Sequence, residues 1–246
     1  VTVNPPPQLS FTRFVAFGDS ITRGEDGNIT LTAIVSGALR FFQDVVLAGR
    51  EYPTVLQQEL QARYTLQSAQ IVVANAGNPG EALSDSATLS RFNAALGGNQ
   101  AVLLMEGSND LYLAYYDSSP TPRINVAISN LQTMISRAQA SNVRPYLATI
   151  PPMYRDMCSP ACRGWAEVYV PGYNDRVRSL AASNGLALVD VYQAFNGDRT
   201  LLSGDGLHPN AAGYQKIADT FFDAIRATAE APTLTTGGRR PGPGLR

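Results

Sequence analysis

The 246-residue chain has a single histidine, His208, and only two cysteines and one tryptophan. With one imidazole, any histidine chemistry belongs to one position. The cysteines, Cys158 and Cys162, bracket Ser159-Pro160-Ala161 and match no complete metal site. They suit a disulfide closing a short loop, with two free thiols as the alternative. A disulfide, together with a processed-looking start at Val1, makes a secreted or periplasmic protein the expectation. No apolar run approaches the roughly 20 residues of a membrane helix. The longest candidate, Leu31 to Leu47, is interrupted by Ser36, Gly37, Arg40, Gln43 and Asp44. An excess of one charge is also missing. A net charge of -1 offers no basic face for nucleic acid and no electrostatic attachment to a membrane surface. What remains is an ordinary globular composition, 44% apolar and 16% charged, in a chain long enough to bury a substantial core.

Residues 1–10 contain Pro5-Pro6-Pro7 and read as a stiff lead-in, while 232–246 are rich in Gly, Pro and Arg and are expected to be disordered. The stretch 11–231 reads as one domain. Five short runs rich in Val, Leu, Ile and Ala lack clean alternation, as strands buried on both faces do: Arg13–Phe17, Gln70–Ala74, Ala101–Met105, Arg144–Thr149 and Ala187–Val191. Helical periodicity lies between and after them, at Thr54–Tyr64, Ile124–Ser141, Tyr173–Ser183 and Ala211–Ala229. That alternation predicts a three-layer α/β/α domain on a parallel sheet. Two stretches stand outside it. The insertion 25–51 reads as an amphipathic helix at its centre, either packed on the domain or capping a site. The loop 151–171 carries both cysteines, Tyr154, Trp165 and Tyr169.

Ligands of an open parallel sheet bind beyond the carboxyl ends of its strands. Four polar segments fall there: Gly18-Asp19-Ser20, Asn75 to Gly80, Gly107-Ser108-Asn109-Asp110, and Asp205-Gly206-Leu207-His208. A serine hydroxyl needs a base to become a nucleophile, and His208 is the side chain whose ordinary pKa suits that task. Asp205 can hold the other imidazole nitrogen. The Ser20 N–H, the Gly80 N–H and the Asn109 amide can meet an oxyanion. Each segment alone is ordinary turn chemistry. Their order, each after a predicted strand, is what joins them. Asp19 and Asp110 read as structural acceptors of backbone amides near the nucleophile and oxyanion loops.

The set resembles the SGNH/GDSL hydrolase family, whose blocks contribute Ser, Gly, Asn and His. The matches are Phe17-Gly18-Asp19-Ser20-Ile21-Thr22, Asn75-x-Gly77-x-x-Gly80, Gly107-x-Asn109-Asp110, and Asp205-Gly206-Leu207-His208-Pro209. The resemblance implies a five-stranded parallel sheet in the flavodoxin-like order 2-1-3-4-5. It also implies a serine esterase with the catalytic residues Ser20, Asp205 and His208, an oxyanion hole of Ser20, Gly80 and Asn109, and no metal or organic cofactor. Thr22 stands where a Gly-x-Ser-x-Gly elbow would carry its last glycine, which separates the chain from that other serine-hydrolase pattern.

The substrate expectation is a small-molecule or polysaccharide ester, with acetyl-like groups removed from carbohydrate. Tyr112, Tyr154 and Trp165, with Tyr115, Tyr116 and Tyr169, would form a sugar-stacking rim or, alternatively, cover loop cores. The alternative is a lipid or aryl esterase with 25–51 covering an apolar acyl site. A third, remote reading is a binding module that has kept the fold and lost turnover.

Overall fold

A computed structural model describes residues 5–35, 39–157 and 164–231, with only the backbone of 29–43. Cys158, Cys162 and the tail 232–246 lie outside the described residues. In chain order the elements are β1 (Arg13–Gly18), α1 (Ser20–Arg23), β2 (Glu25–Val35), β3 (Leu39–Val46), α2 (Tyr52–Arg63), β4 (Val72–Gly77), α3 (Thr88–Leu96), β5 (Ala101–Met105), α4 (Ser108–Tyr116), α5 (Thr121–Ala140), β6 (Arg144–Ala148), α6 (Val170–Ser183), β7 (Ala187–Val189), α7 (Val191–Phe195) and α8 (Ala211–Ala229).

The sheet order is β4-β1-β5-β6-β7, every pair parallel, which is the expected 2-1-3-4-5 arrangement. β1 and β5 are central, and all of Phe14–Gly18 and Ala101–Met105 is buried. This is why they read as continuous apolar runs: helices cover both faces of a parallel sheet. On one side α2 packs on α8, with the Tyr52 and Phe221 rings stacked at 5.3 Å. On the other side α3 and α6 pack against α5. α8 turns Tyr214, Ile217, Ala218, Phe221 and Ile225 inward at helical spacing. Asn210 starts this helix by accepting from the Ala212 and Gly213 N–H groups.

The insertion corrects one expectation. Glu25–Val35 and Leu39–Val46 form an antiparallel two-stranded sheet instead of an amphipathic helix. The sequence Ile29-Thr30-Leu31-Thr32-Ala33-Ile34-Val35 is dense in β-branched residues, whose χ1 restriction favours an extended backbone. Strand β4 also begins two residues later than Gln70 and continues through Asn75-Ala76-Gly77, because β1 extends pairing to Gly18.

The two ends of the described chain meet. Leu9 bridges Glu230 in antiparallel fashion, Ser10 N–H donates to Ala229 O at 2.9 Å, and Ala231 N–H donates to Gln8 O at 2.8 Å. Arg63 at the end of α2 and Tyr64 just after it both donate to the Glu230 carboxylate.

Candidate active site

Ser20 opens α1 immediately beyond the carboxyl end of β1, where Asp19 caps the turn by accepting from the Ile21 N–H at 2.9 Å. His208 and Asp205 come from the segment before α8. That segment is held by Ser203 N–H donating to His208 O at 2.8 Å and Tyr154 N–H donating to Gly206 O at 2.8 Å. Ser20 Oγ lies 2.8 Å from His208 Nε2, and His208 Nδ1 lies 2.6 Å from Asp205 Oδ2. The three residues are brought together from positions 188 residues apart in the chain.

The protonation pattern follows from the acceptors. Burial works to raise Asp205, but the His208 side chain and the Leu207 and His208 N–H groups outweigh it and leave the carboxyl below its ordinary value. The two N–H groups donate to Oδ1 at 3.0 Å each. An ionised Asp205 only accepts, so Nδ1 carries a hydrogen and Nε2 presents its lone pair to the Ser20 hydroxyl. That is the tautomer a general base needs.

Gly80 and Asn109 face the same space. A cavity of about 400 Å³ is lined by Ser20, His208, Gly80, Asn109, Pro79, Leu207, Tyr112, Glu25 and Asp44. Gly80 sits at φ +73°, in the left-handed region that favours glycine, and its N–H has no acceptor among the described residues. Asn109 donates one amide hydrogen to Glu81 O at 2.8 Å, which orients the group. Asp110, next along α4, accepts from the Leu83 and Ser84 N–H groups at 2.7 and 2.9 Å and so holds the segment that carries Gly80.

Arg91 on α3 ties these parts together, and the sequence gives no signal for it. Its guanidinium donates to Ala76 O at 2.6 Å and Gly18 O at 3.3 Å, pairs with the Glu81 carboxylate, and lies 3.9 Å over the Phe17 ring. The ends of β1 and β4 and the oxyanion segment are thereby joined by one side chain. Two buried carboxyls lie close to Ser20. Burial pushes Asp19 up to about 6, against the Ile21 N–H and the nearby His208 ring, which favour its ionised form. Burial, reinforced by the charges of Asp19, Glu81 and Asp110, pushes Glu106 well above the carboxylate range.

The insertion reaches the site, as the capping alternative expected, but as a hairpin. Glu25, Gly27 and Asp44 bring it to the cavity, Gly27 through its backbone against Asp205 and the other two through the wall. The expected aromatic rim divides. Tyr112 lines the cavity. Trp165 does not line it and stacks on Tyr115 with ring centres 5.8 Å apart. Tyr154 points elsewhere, because the Arg199 guanidinium covers its ring at 4.4 Å, and it lines a separate depression of about 350 Å³ with Val168 and Tyr192. Tyr169 packs against the core. Among the described residues, no group of three or more His, Cys, Asp or Glu side chains is arranged to hold a metal ion, and no helix is long and apolar enough to cross a membrane.

The parallel 2-1-3-4-5 sheet is the core of a three-layer α/β/α domain, with Ser20, His208 and Asp205 hydrogen-bonded beyond the carboxyl ends of its strands. The chain belongs to the GDSL-like Lipase/Acylhydrolase family, which matches residues 16–216. Among solved structures it is similar to LAE5, an alpha/beta hydrolase enzyme from the metagenome of Lake Arreo. That likeness has 26% identity and a TM-score of 0.64, covering 87% of this chain and 94% of the other. Axe2, an acetylxylan esterase from Geobacillus stearothermophilus, shares the fold with a TM-score of 0.64 at 19% identity, over 90% of this chain and 96% of Axe2. The lipase/acylhydrolase of Enterococcus faecalis does so with a TM-score of 0.63 at 22% identity, over 89% and 97% of the two chains. A multidomain esterase of Ruminococcus flavefaciens is 25% identical over 133 residues, 53% of this chain. The match spans only 16% of that longer protein.

Proposed function

We propose that the chain is a serine esterase that removes small acyl groups, acetyl above all, from carbohydrate, with Ser20, His208 and Asp205 as its triad. Ser20 Oγ attacks the ester carbonyl while His208 Nε2 takes the hydroxyl proton, and Asp205 steadies the imidazolium that forms. The carbonyl oxygen becomes an oxyanion held by the Ser20 N–H, the Gly80 N–H and the free Asn109 amide hydrogen. Each such donor contributes about 3–4 kcal/mol to the transition state. The tetrahedral intermediate collapses, the sugar alkoxide leaves with the proton from His208, and an acyl-serine remains. Water then gives its proton to His208 and attacks the acyl carbon, which releases the acid and restores the Ser20 hydroxyl.

The observation that carries this reading is the hydrogen-bonded line from Asp205 to Ser20 opening into a cavity of about 400 Å³ whose lining includes carboxylates. Pro79 and Leu207 are the apolar side chains among its lining residues, and the hairpin contributes Glu25 and Asp44. A long acyl chain laid against those carboxylates would strip water from them, a cost that a small acyl group avoids. The same fold carries acetylxylan esterase activity in Axe2. The reading extends to an extracytoplasmic setting, where polysaccharide is met and a Cys158–Cys162 pair would be oxidised. A thiol count on protein from an oxidising compartment checks that part.

Hydrolysis of a nitrophenyl ester series from acetyl to palmitoyl, with Ser20→Ala alongside, tests the core of the proposal. A steep fall beyond acetyl or propionyl is expected. A rise toward long chains would sink the deacetylase reading in favour of a lipid esterase. Unchanged cleavage by Ser20→Ala would remove the triad.

A further inference from the structure

α4 turns Leu111 and Ala114 into the core and leaves Tyr115 37% and Tyr116 62% exposed. The outward face of a surface helix is ordinarily polar or charged. Single exposed aromatics need no explanation, but here four rings touch in series. Tyr112 meets Tyr116 edge to face at 5.4 Å, with the two hydroxyls 3.5 Å apart. Tyr116 meets Tyr115 at 5.3 Å, and Tyr115 stacks on Trp165 at 5.8 Å. The series starts on the cavity wall, at Tyr112, and leaves it with Tyr116, Tyr115 and Trp165, none of which lines the cavity.

Rings that hold one another in place lose little freedom when a ligand arrives. Tyrosine and tryptophan also combine a broad apolar face with a polar edge. A pyranose ring has the same division, with C–H groups on its faces and hydroxyls around its rim. A fatty chain would strip water from the phenol groups and return no hydrogen bond.

We propose that Tyr116, set against Tyr112 and backed by Tyr115 and Trp165, is a binding subsite for the uncharged sugar ring next to the acylated one. The preferred substrate is then an acylated oligosaccharide or polysaccharide rather than an acylated monosaccharide. This inference rests on the carbohydrate reading above.

The experiment compares wild type, Tyr116→Ala and Tyr116→Trp on nitrophenyl acetate, acetylated xylose and acetylated xylohexaose. For Tyr116→Ala the expected result is a KM for the hexamer raised about tenfold, equivalent to about 1.4 kcal/mol, with kcat little changed. Nitrophenyl acetate and acetylated xylose should be cleaved as by wild type, and Tyr116→Trp should restore the hexamer KM. Equal hexamer kinetics in Tyr116→Ala and wild type would overturn the subsite and leave the carbohydrate reading standing. Equal losses on all three substrates would overturn it too, since the ring would then act through the fold. Wild type that cleaves nitrophenyl acetate and neither acetylated saccharide would end the carbohydrate reading itself, and the subsite with it.

Discussion

The backbone of Gly27 lies against the Asp205 carboxylate, so closely that a methyl group on Gly27 would overlap Asp205 Oδ2 and Cγ. Gly27 also sits at φ +75°, where a side chain is strained in any surroundings. The β2–β3 hairpin is therefore the back wall of the triad. In Gly27→Ala, Asp205 must move or the hairpin must lift. Displacements near 1 Å can cost about a hundredfold in rate. We expect kcat/KM on nitrophenyl acetate to fall by about that factor while the sheet still unfolds cooperatively. Wild-type kinetics in this variant would show the hairpin to be uncoupled from the triad.

Asp205→Asn should be nearly inactive for a specific reason. The Leu207 and His208 N–H groups claim the amide oxygen at Oδ1, so the new NH₂ faces Nδ1 and forces the imidazole hydrogen onto Nε2. Nε2 then has no lone pair for Ser20. A loss of about 10⁴ in kcat is expected, with folding retained. A loss below about tenfold would show that Asp205 does not set the tautomer.

The oxyanion side gives a graded prediction. Asn109→Ala should lower kcat by about 10²–10³, the usual result of removing one donor. Arg91→Lys keeps the charge but loses the planar fork that reaches Gly18 O, Ala76 O and Glu81 together. A smaller fall of about tenfold in kcat, with little change in KM, is expected from its indirect position. The contrast with a general loss of fold is the rate of inactivation by a fluorophosphonate, which should fall in step with kcat. A KM effect alone would argue against Arg91 positioning the oxyanion segment.

Asp19 makes stability depend on pH. Its folded value of about 6 lies above the ordinary 3.8, chiefly through burial, so the folded state holds the proton more tightly. The contribution is complete below about pH 4 and is lost as pH rises through about 6, which amounts to about 3 kcal/mol at neutral pH. Asp19→Asn keeps an acceptor for the Ile21 N–H and cannot ionise. Urea unfolding should show it gaining on wild type from pH 4.5 to 7.5. Parallel curves would mean that Asp19 ionises at no cost.

Much of this site could be read from residues alone. The apolar strands β1 and β5, the segments after them and the lone histidine pointed to one edge of the sheet. What stayed hidden was set by tertiary contact. Phe41-Phe42 and Val45-Val46 are adjacent apolar pairs that fit a helix face as well as a strand, and a short run of that kind has no decisive period. Arg91 resembles any surface arginine until α3 is laid across the ends of β1 and β4. Tyr154 has the composition of a rim residue, yet its side-chain direction depends on Arg199, 45 residues further along the chain.

The bridge between Leu9 and Glu230 closes the domain into a ring of chain. It lies where the chain enters β1, at the amino end of the strands, while Ser20 and His208 sit beyond the carboxyl ends. A permuted protein, with those neighbouring points spliced and the chain reopened in a distant surface turn, would present the same catalytic line in a different linear order. The sequence in which the blocks occur, Ser before Gly, Asn and His, is then a matter of where the ring is cut. The chemistry depends only on which strand ends lie side by side.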